Sequence, residues 1–149
     1  MKLLMEKLAL AVVNYPEAQE PIQTIRHWVF QIEQGVDPDL DFDGRDPGAM
    51  QILALVGDQP VGTARVRDLG DRRVKIERLA VLQEFRGRGI GRKIMEFTLE
   101  VLQQRQIQTV QLHAQLQAKA LYDKLGFVAI GDVFTEAGIP HIKMQKQLQ

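Results

Sequence analysis

Apolar positions recur along the chain with two periods, and the switches between them mark its elements. "KLALAVVNY" is apolar and β-prone, so it predicts an opening strand that breaks at Pro16. In "PIQTIRHWVFQI", Ile22, Ile25, Val29 and Ile32 fall at helical spacing, and Gly35 and Pro38 end that helix. The segment "MQILALVGDQPVGTARVRDLGDRRVKIERLAVL" reads as a meander of strands with turns at "GDQP" and "LGD". Its last strand, 73–82, runs into "EFRGRGIGRKIM". Ile90, Ile94, Phe97, Val101 and Leu102 then form an apolar stripe that predicts a helix to about residue 104. Val110, Leu112 and Ala114 alternate inward along the strand "QTVQLHA". "LQAKALYDKLGF" is a short helix stopped at Gly126, and "FVAIGDVF" and "IPHIKMQKQL" are two further strands.

These elements predict a single α+β domain over residues 1–149: a largely antiparallel sheet with helices on its faces. The strand 73–82, its helix and the strand 109–114 form one right-handed βαβ crossover, so those two strands are parallel.

Composition narrows the chemistry. The chain has 19 Lys plus Arg and 19 Asp plus Glu, a net charge of zero that argues against a broad nucleic-acid footprint. No apolar run reaches the length of a membrane span. The start, "MKLLMEKLALAVVNY", is broken by Glu6 and Lys7 and reads poorly as a leader, so a cytoplasmic protein is expected. Cysteine and serine are both absent, which removes disulfides, thiolate metal ligands and the two commonest acyl-enzyme nucleophiles.

The acidic loop "GVDPDLDFDGRDPGA" carries part of a metal-binding pattern. Asp39, Asp41, Asp43 and Gly44 match the first half of a calcium loop, but position twelve is Met50 rather than glutamate. No metal is expected. The loop is read as solvated, with an attraction for a cationic amine as the alternative.

The glycine stretch is the strongest local signal. Glycine weakens a helix, yet Gly87, Gly89 and Gly91 stand where one begins. A loop leaving a strand and opening a helix presents unpaired N–H groups and the positive end of the dipole. Arg86, Arg88 and Arg92 add full charges, so the turn suits a phosphate. The spacing fits neither G-x-G-x-x-G with its later acid nor G-x-x-x-x-G-K-[ST].

What it fits is R-x-x-G-x-G, residues 86–91, preceded by "LAV". The chain resembles the GNAT acetyltransferases over nearly its whole length. "AKALYDKLGF" resembles the family's later helix with its tyrosine. "EQGV" at 33–36, "GTAR" at 62–65 and "FTEAGIPHIKM" at 134–144 point to the ElaA-like and YjcF-like branch. The resemblance implies the GNAT-like fold and acetyl-CoA as cosubstrate. It implies that Leu79, Ala80 and Val81 run beside the pantetheine arm. Arg86, Gly87, Arg88, Gly89, Ile90, Gly91 and Arg92 would hold the pyrophosphate. The strand bearing Val110 and Leu112 would splay from the one bearing Leu79, with the thioester in the gap. Where the family often has asparagine, this chain offers Gln115 and Gln117.

Acetyl transfer to an amine then needs a base, an oxyanion donor and an acid for the thiolate. Without serine or cysteine, direct attack by the bound amine is expected. Tyr122 is the candidate acid; a tyrosine closing the core is its alternative. Glu77 is the favoured base, expected on the same strand face as Leu79 and Val81; an ion pair with a neighbouring arginine is its alternative. His141 is the competing base, since a neutral imidazole accepts a proton near pH 7. His27 is assigned to the first helix and His113 to a polar strand position. The acceptor is a small-molecule or peptide amine, with no nucleic-acid or membrane partner. The apolar "FVAIGDVF" is a surface on which a second copy can pair. A CoA-binding sensor without turnover is the competing reading, and a nucleic-acid binder using "RGRGIGRK" a weaker one.

Overall fold

The computed structural model describes residues 7–149; residues 1–6, part of the start weighed above as a leader, lie outside the described residues. Among the described residues seven strands form one sheet in the order β1-β2-β3-β4-β5-β7-β6. They are β1 (Leu8–Val13), β2 (Met50–Val56), β3 (Gln59–Gly70), β4 (Arg73–Val81), β5 (Thr109–Gln115), β6 (Val128–Glu136) and β7 (Ile139–Gln147). Among the described residues only β4 and β5 pair in parallel. The expected α+β class, the meander and the single crossover are all present.

The crossover helix α3 (Ile90–Gln104) lies on one face of the sheet, joined there by α4 (Lys119–Lys124). Its buried Met95 and Leu102 cluster with Val66, Val74, Ile76 and Val110 of the sheet, and its Ile94 with Ile52, Ala54, Val61 and Ala64. Gly62 on β3 lets α3 approach: a Cβ there would stand 2.7 Å from Ile94 Cδ1 and 3.2 Å from the Ala80 carbonyl. On the opposite face α1 (Tyr15–Arg26) buries Ala18, Ile22 and Ile25 against Leu53 and Ala80.

Two expectations about the first helix need correction. It begins at Tyr15, not at Pro21, because Pro16 occupies the first turn, where a missing N–H costs nothing. Past Arg26 the helix widens to π geometry over His27–Glu33. More residues per turn rotate the stripe, so Val29 and Phe30 are buried while Ile32 is 56% exposed.

The loop 37–49 is the third correction. It holds the short helix α2 (Pro38–Asp41), and it is not simply solvated: Asp41 and Asp46 are buried. Both face Arg26, itself wholly buried at the end of α1, a partner that loop composition alone does not reveal.

The fourth correction concerns β4. Thr63 faces Ala80 and Arg65 faces Glu77, so Arg78 and Leu79 together oppose Ala64. This is a β-bulge, and Arg78 adopts φ +57° within it. One extra residue inverts the alternation. Leu79 therefore joins Val74 and Ile76 against α3, and Glu77 turns to the opposite face beside Arg65 and Arg67. Glu77 does not share a face with Leu79. The segment read as a surface for a second copy forms the sheet's outer strand, β6, and shows Val128, Ile130 and Val133 to solvent.

Candidate functional site

The glycine turn follows β4 directly. Gly87 and Gly89 take φ of +79° and +76°, and a Cβ built on either meets nothing within 4 Å. Backbone geometry, not crowding, requires glycine there, and the space beside the turn is open. None of the backbone N–H groups from 87 to 92 meets a protein acceptor among the described residues. They sit at the start of α3, where the dipole adds positive charge. The turn therefore has the donors, charge and room that a pyrophosphate needs.

The arginines divide their work. Arg86 is exposed but engaged by the protein itself: its guanidinium donates to Glu33 through two contacts of 2.7 Å and to the Val81 carbonyl at 2.9 Å. It fastens the turn to the end of the first helix. Arg88 lies over the Phe85 ring at 5.0 Å, and Arg92 makes only a loose pair with Glu96 at 3.5 Å.

From the turn a single cleft of about 950 Å³ runs along β4 to the far side of the sheet. It opens because β4 and β5 pair only as far as Ile76 and Leu112. Beyond that row β5 continues with β7, ending at the Gln115–His141 pair, while β4 turns away at its bulge. The splay expected between these strands is present. Leu79, Ala80, Val81, Tyr122, Glu77 and His141 all line the cleft, with the glycines of the turn and Ile90, Arg86 and Arg92; Arg88 does not. Gln115 bonds Gln34 at 2.9 Å and accepts from Gln117 at 2.9 Å, so both glutamines are engaged at its rim.

Tyr122 packs edge-on to Phe127, and its hydroxyl has no hydrogen-bond partner among the described residues. Burial pushes its pKa up to about 12, so it holds its proton at neutral pH. Tyr122 is thus a core residue that also lines the cleft and keeps its hydroxyl protonated at neutral pH.

His141 Nδ1 lies 2.7 Å from the Ile139 carbonyl, which can only accept. That bond places the proton on Nδ1 and leaves the Nε2 lone pair free in the neutral ring. Nε2 lies 3.8 Å from Glu136, whose other oxygen is 2.9 Å from His113 Nδ1. Phe134 stacks on His141 and meets His113 edge-on. Sequence reading missed His113 and Glu136. They meet His141 only because β7 inserts between β5 and β6, an order no periodicity reports.

Glu77 stands in a different environment. Burial pushes its carboxyl up, but the hydrogen bonds and charge of Arg65, with Arg67 and Lys75, outweigh burial and hold it below the usual glutamate value. Arg65 is wholly buried and also bonds Asp43 and Asp46. Asp46 bridges Arg65 to Arg26, and Arg26 continues to Asp41. Arg78, at the bulge, donates to the Leu40 and Asp41 carbonyls and to the Asp41 carboxylate. The network closes the floor of the cleft and pins the bulge to the loop 37–49.

Comparison with known proteins agrees with this geometry. Residues 25–148 match the family model described as an acetyltransferase (GNAT) domain. The chain is 33% identical over 123 residues to an uncharacterized N-acetyltransferase of Bacillus subtilis, YjcF, covering 82% of this chain and 87% of that one. It is 33% identical over 129 residues to ElaA of Escherichia coli, covering 83% and 84%. The crystal structure of E. coli ElaA superposes with a TM-score of 0.84 at 28% identity, over 94% of this chain and 99% of that one. An acyl-CoA N-acyltransferase from Pseudomonas aeruginosa gives the same TM-score, identity and coverage.

The ionic floor makes a direct prediction. Replacing Asp46→Ala leaves Arg26 and Arg65 buried and underpaired, which should cost about 3–5 kcal/mol of stability in urea denaturation. A loss below about 1 kcal/mol would show that water enters and replaces the carboxylate.

Proposed function

Because the chain belongs to the GNAT acetyltransferase family, in the branch that includes YjcF and ElaA, we propose that it moves an acetyl group from acetyl-CoA to a primary amine by direct attack in a ternary complex. The observation that carries this reading is the continuity of the cleft. Unpaired amides at the glycine turn open into the same space that holds the Tyr122 hydroxyl and the His141 Nε2 lone pair.

In this reading the N–H groups of 87–92 bind the pyrophosphate, with Arg88 and Arg92 supplying charge from the rim. Arg86 acts through the shape of the turn. The unpaired edge of β4 at Leu79, Ala80 and Val81 accompanies the pantetheine arm and directs an N–H toward the developing oxyanion. Acetyl-CoA, when bound, supplies a thioester carbonyl open to a nucleophile. His141 Nε2 takes a proton from the acceptor ammonium, and Glu136 steadies the imidazolium that results. The freed amine forms the C–N bond as the C–S bond breaks. Tyr122 gives its hydroxyl proton to the departing thiolate, and the surplus proton on the acylated nitrogen returns through water to the Tyr122 oxygen, leaving the neutral amide.

Glu77 is the weaker candidate base. A carboxylate bonded by two arginines and held below its usual pKa has little affinity for a further proton. Its place is in the floor.

Three outcomes test the scheme. Gly91 has helical backbone and room for a side chain, with Val81 3.8 Å from its Cβ position. Gly91→Glu should fold normally yet lose acetyl-CoA binding in calorimetry, because its carboxylate occupies the phosphate end; unchanged affinity would refute that placement. Tyr122→Phe should leave acetyl-CoA affinity alone and lower kcat by about 10²-fold. Equal kcat would return Tyr122 to packing alone. Wild-type kcat/KM should rise with pH along a limb that His141→Asn removes and Glu77→Gln retains, measured with two amines of different basicity. The opposite pattern would make Glu77 the base.

A further inference from the structure

We propose that the acceptor amine also carries an anionic group, a carboxylate or phosphate, and that Arg67 and Lys75 form the subsite that holds it. The proposal rests on the transfer reading above and names its substrate class.

Arg67 and Lys75 stand directly opposite each other on β3 and β4, on the Glu77 face. Both line the same cleft as His141 and Tyr122. Their side chains are only 20% and 16% exposed. Like charges directly across a strand pair repel, and partial burial raises the penalty.

The protein answers this repulsion incompletely. Glu77 is the single carboxylate within 4 Å of either among the described residues. It receives Arg67 Nε at 2.6 Å, while Lys75 Nζ stands off at 3.6 Å, and its other oxygen is taken by Arg65. One carboxylate thus faces three cations. The terminal nitrogens of Arg67 and the Lys75 ammonium have no hydrogen-bond acceptor among the described residues. A guanidinium with both terminal nitrogens free is a fork for an oxyanion, and the adjacent ammonium adds a point charge.

The loop aspartates cannot supply the missing charge. Asp41, Asp43 and Asp46 are held by Arg26, Arg65 and Arg78. This reverses the alternative considered from sequence, in which the acidic loop attracts a cationic amine. The phosphates of CoA are too far away. Lys75 lies six residues before Val81 on β4, roughly 20 Å from the strand end where the glycine turn begins.

The other end of the acceptor is set by Glu136 and the two histidines. Lys75 is level with Gln111 on β5, and His113 is two residues further along. That offset is about 7 Å along and about 5 Å across the sheet, and His141, level with Gln115 one strand further on, lies beyond it, so anion and nitrogen are held from strand positions at least about 8 Å apart. The carboxylate and amine of an α-amino acid do not span it. An ω-amino acid, an aminoalkyl phosphate or a short peptide does.

The test uses the full chain, saturating acetyl-CoA and matched acceptors: 5-aminopentanoate, 4-aminobutyl phosphate, 5-aminopentan-1-ol and 1,5-diaminopentane. Either anionic amine should exceed the alcohol in kcat/KM by about 10-fold or more, mostly through KM, with the diamine poorest. In Arg67→Gln and in Lys75→Gln that ratio should fall to within about 2-fold, while acetyl-CoA affinity holds. An alcohol or diamine as good as both anionic amines overturns the proposal, as does a ratio that persists in both variants. Direct calorimetric titration with 5-aminopentanoate separates this subsite from the transfer reading. Binding that weakens in both variants supports the subsite even in a chain that proves unable to bind acetyl-CoA. No binding of either anionic amine to wild type overturns it, and loss of acetyl-CoA binding alone refutes only the transfer reading.

Discussion

One extra residue in β4 governs the rest of this architecture. Without the bulge at Arg78, Glu77, Leu79 and Val81 would share a face, and with Val74 and Ile76 packed against α3 that would carry Leu79 and Val81 away from the helix to the acidic side. With it, the strand presents carboxylate to one side and leucine and valine to the other. The same kink carries β4 away from β5 after Ile76, which opens the cleft. Face inversion and strand separation are thus one event.

A bulge with a non-glycine residue at positive φ needs something to hold it. Here the holding is electrostatic. Arg78 reaches back to Asp41 and Leu40, and those groups are fixed by Arg26 at the end of α1. The loop that looked solvated is therefore the clamp on the site. Buried ion pairs of this kind contribute little net stability against an apolar substitute, but they fix geometry because each broken partner leaves a charge without solvent. The Arg65 guanidinium keeps the Asp43 carboxyl well below the usual carboxylate range, and burial only partly opposes it. Since both Asp43 and Glu77 are depressed, their contribution is complete above the ordinary carboxylate range and is lost as pH falls below about 4 toward their folded values.

Period and punctuation made much of this legible in sequence. The three-strand meander, the stripe of α3, the alternation of β5 and the stop at Gly126 each follow from local rules, and the structure keeps them. The glycine turn was legible because glycine and arginine converged where a helix begins. What stayed hidden depends on register or on partners far apart in the chain. The bulge leaves no mark in "KIERLAV", so the face of Glu77 could not be read. The π turn after Arg26 changes the period without changing composition, so Ile32 was placed inside. Asp41 and Asp46 look like any loop aspartates until Arg26 and Arg65 are set beside them. His113 and Glu136 meet His141 only through the strand order. "EQGV" and "GTAR", read first as marks of likeness, turn out to be structural parts: Glu33 secures Arg86, Gly62 admits α3, and Arg65 centres the floor.

The distribution of charge along the cleft has its own logic. Its two ends are positive for different reasons: the turn through backbone N–H groups and a helix dipole, the far end through the side chains of Arg67 and Lys75. Between them lies Glu136, a lining carboxylate that no arginine engages, set between two imidazoles. The cleft's other carboxylates, Asp41, Asp43 and Glu77, are already bonded to arginine, so their fields are largely cancelled at the surface. An ammonium entering the cleft is therefore drawn toward the middle, and anionic groups toward the ends. In the proposed transfer, a site with this charge order would align two substrates before any bond changes, which is where proximity has its effect on rate.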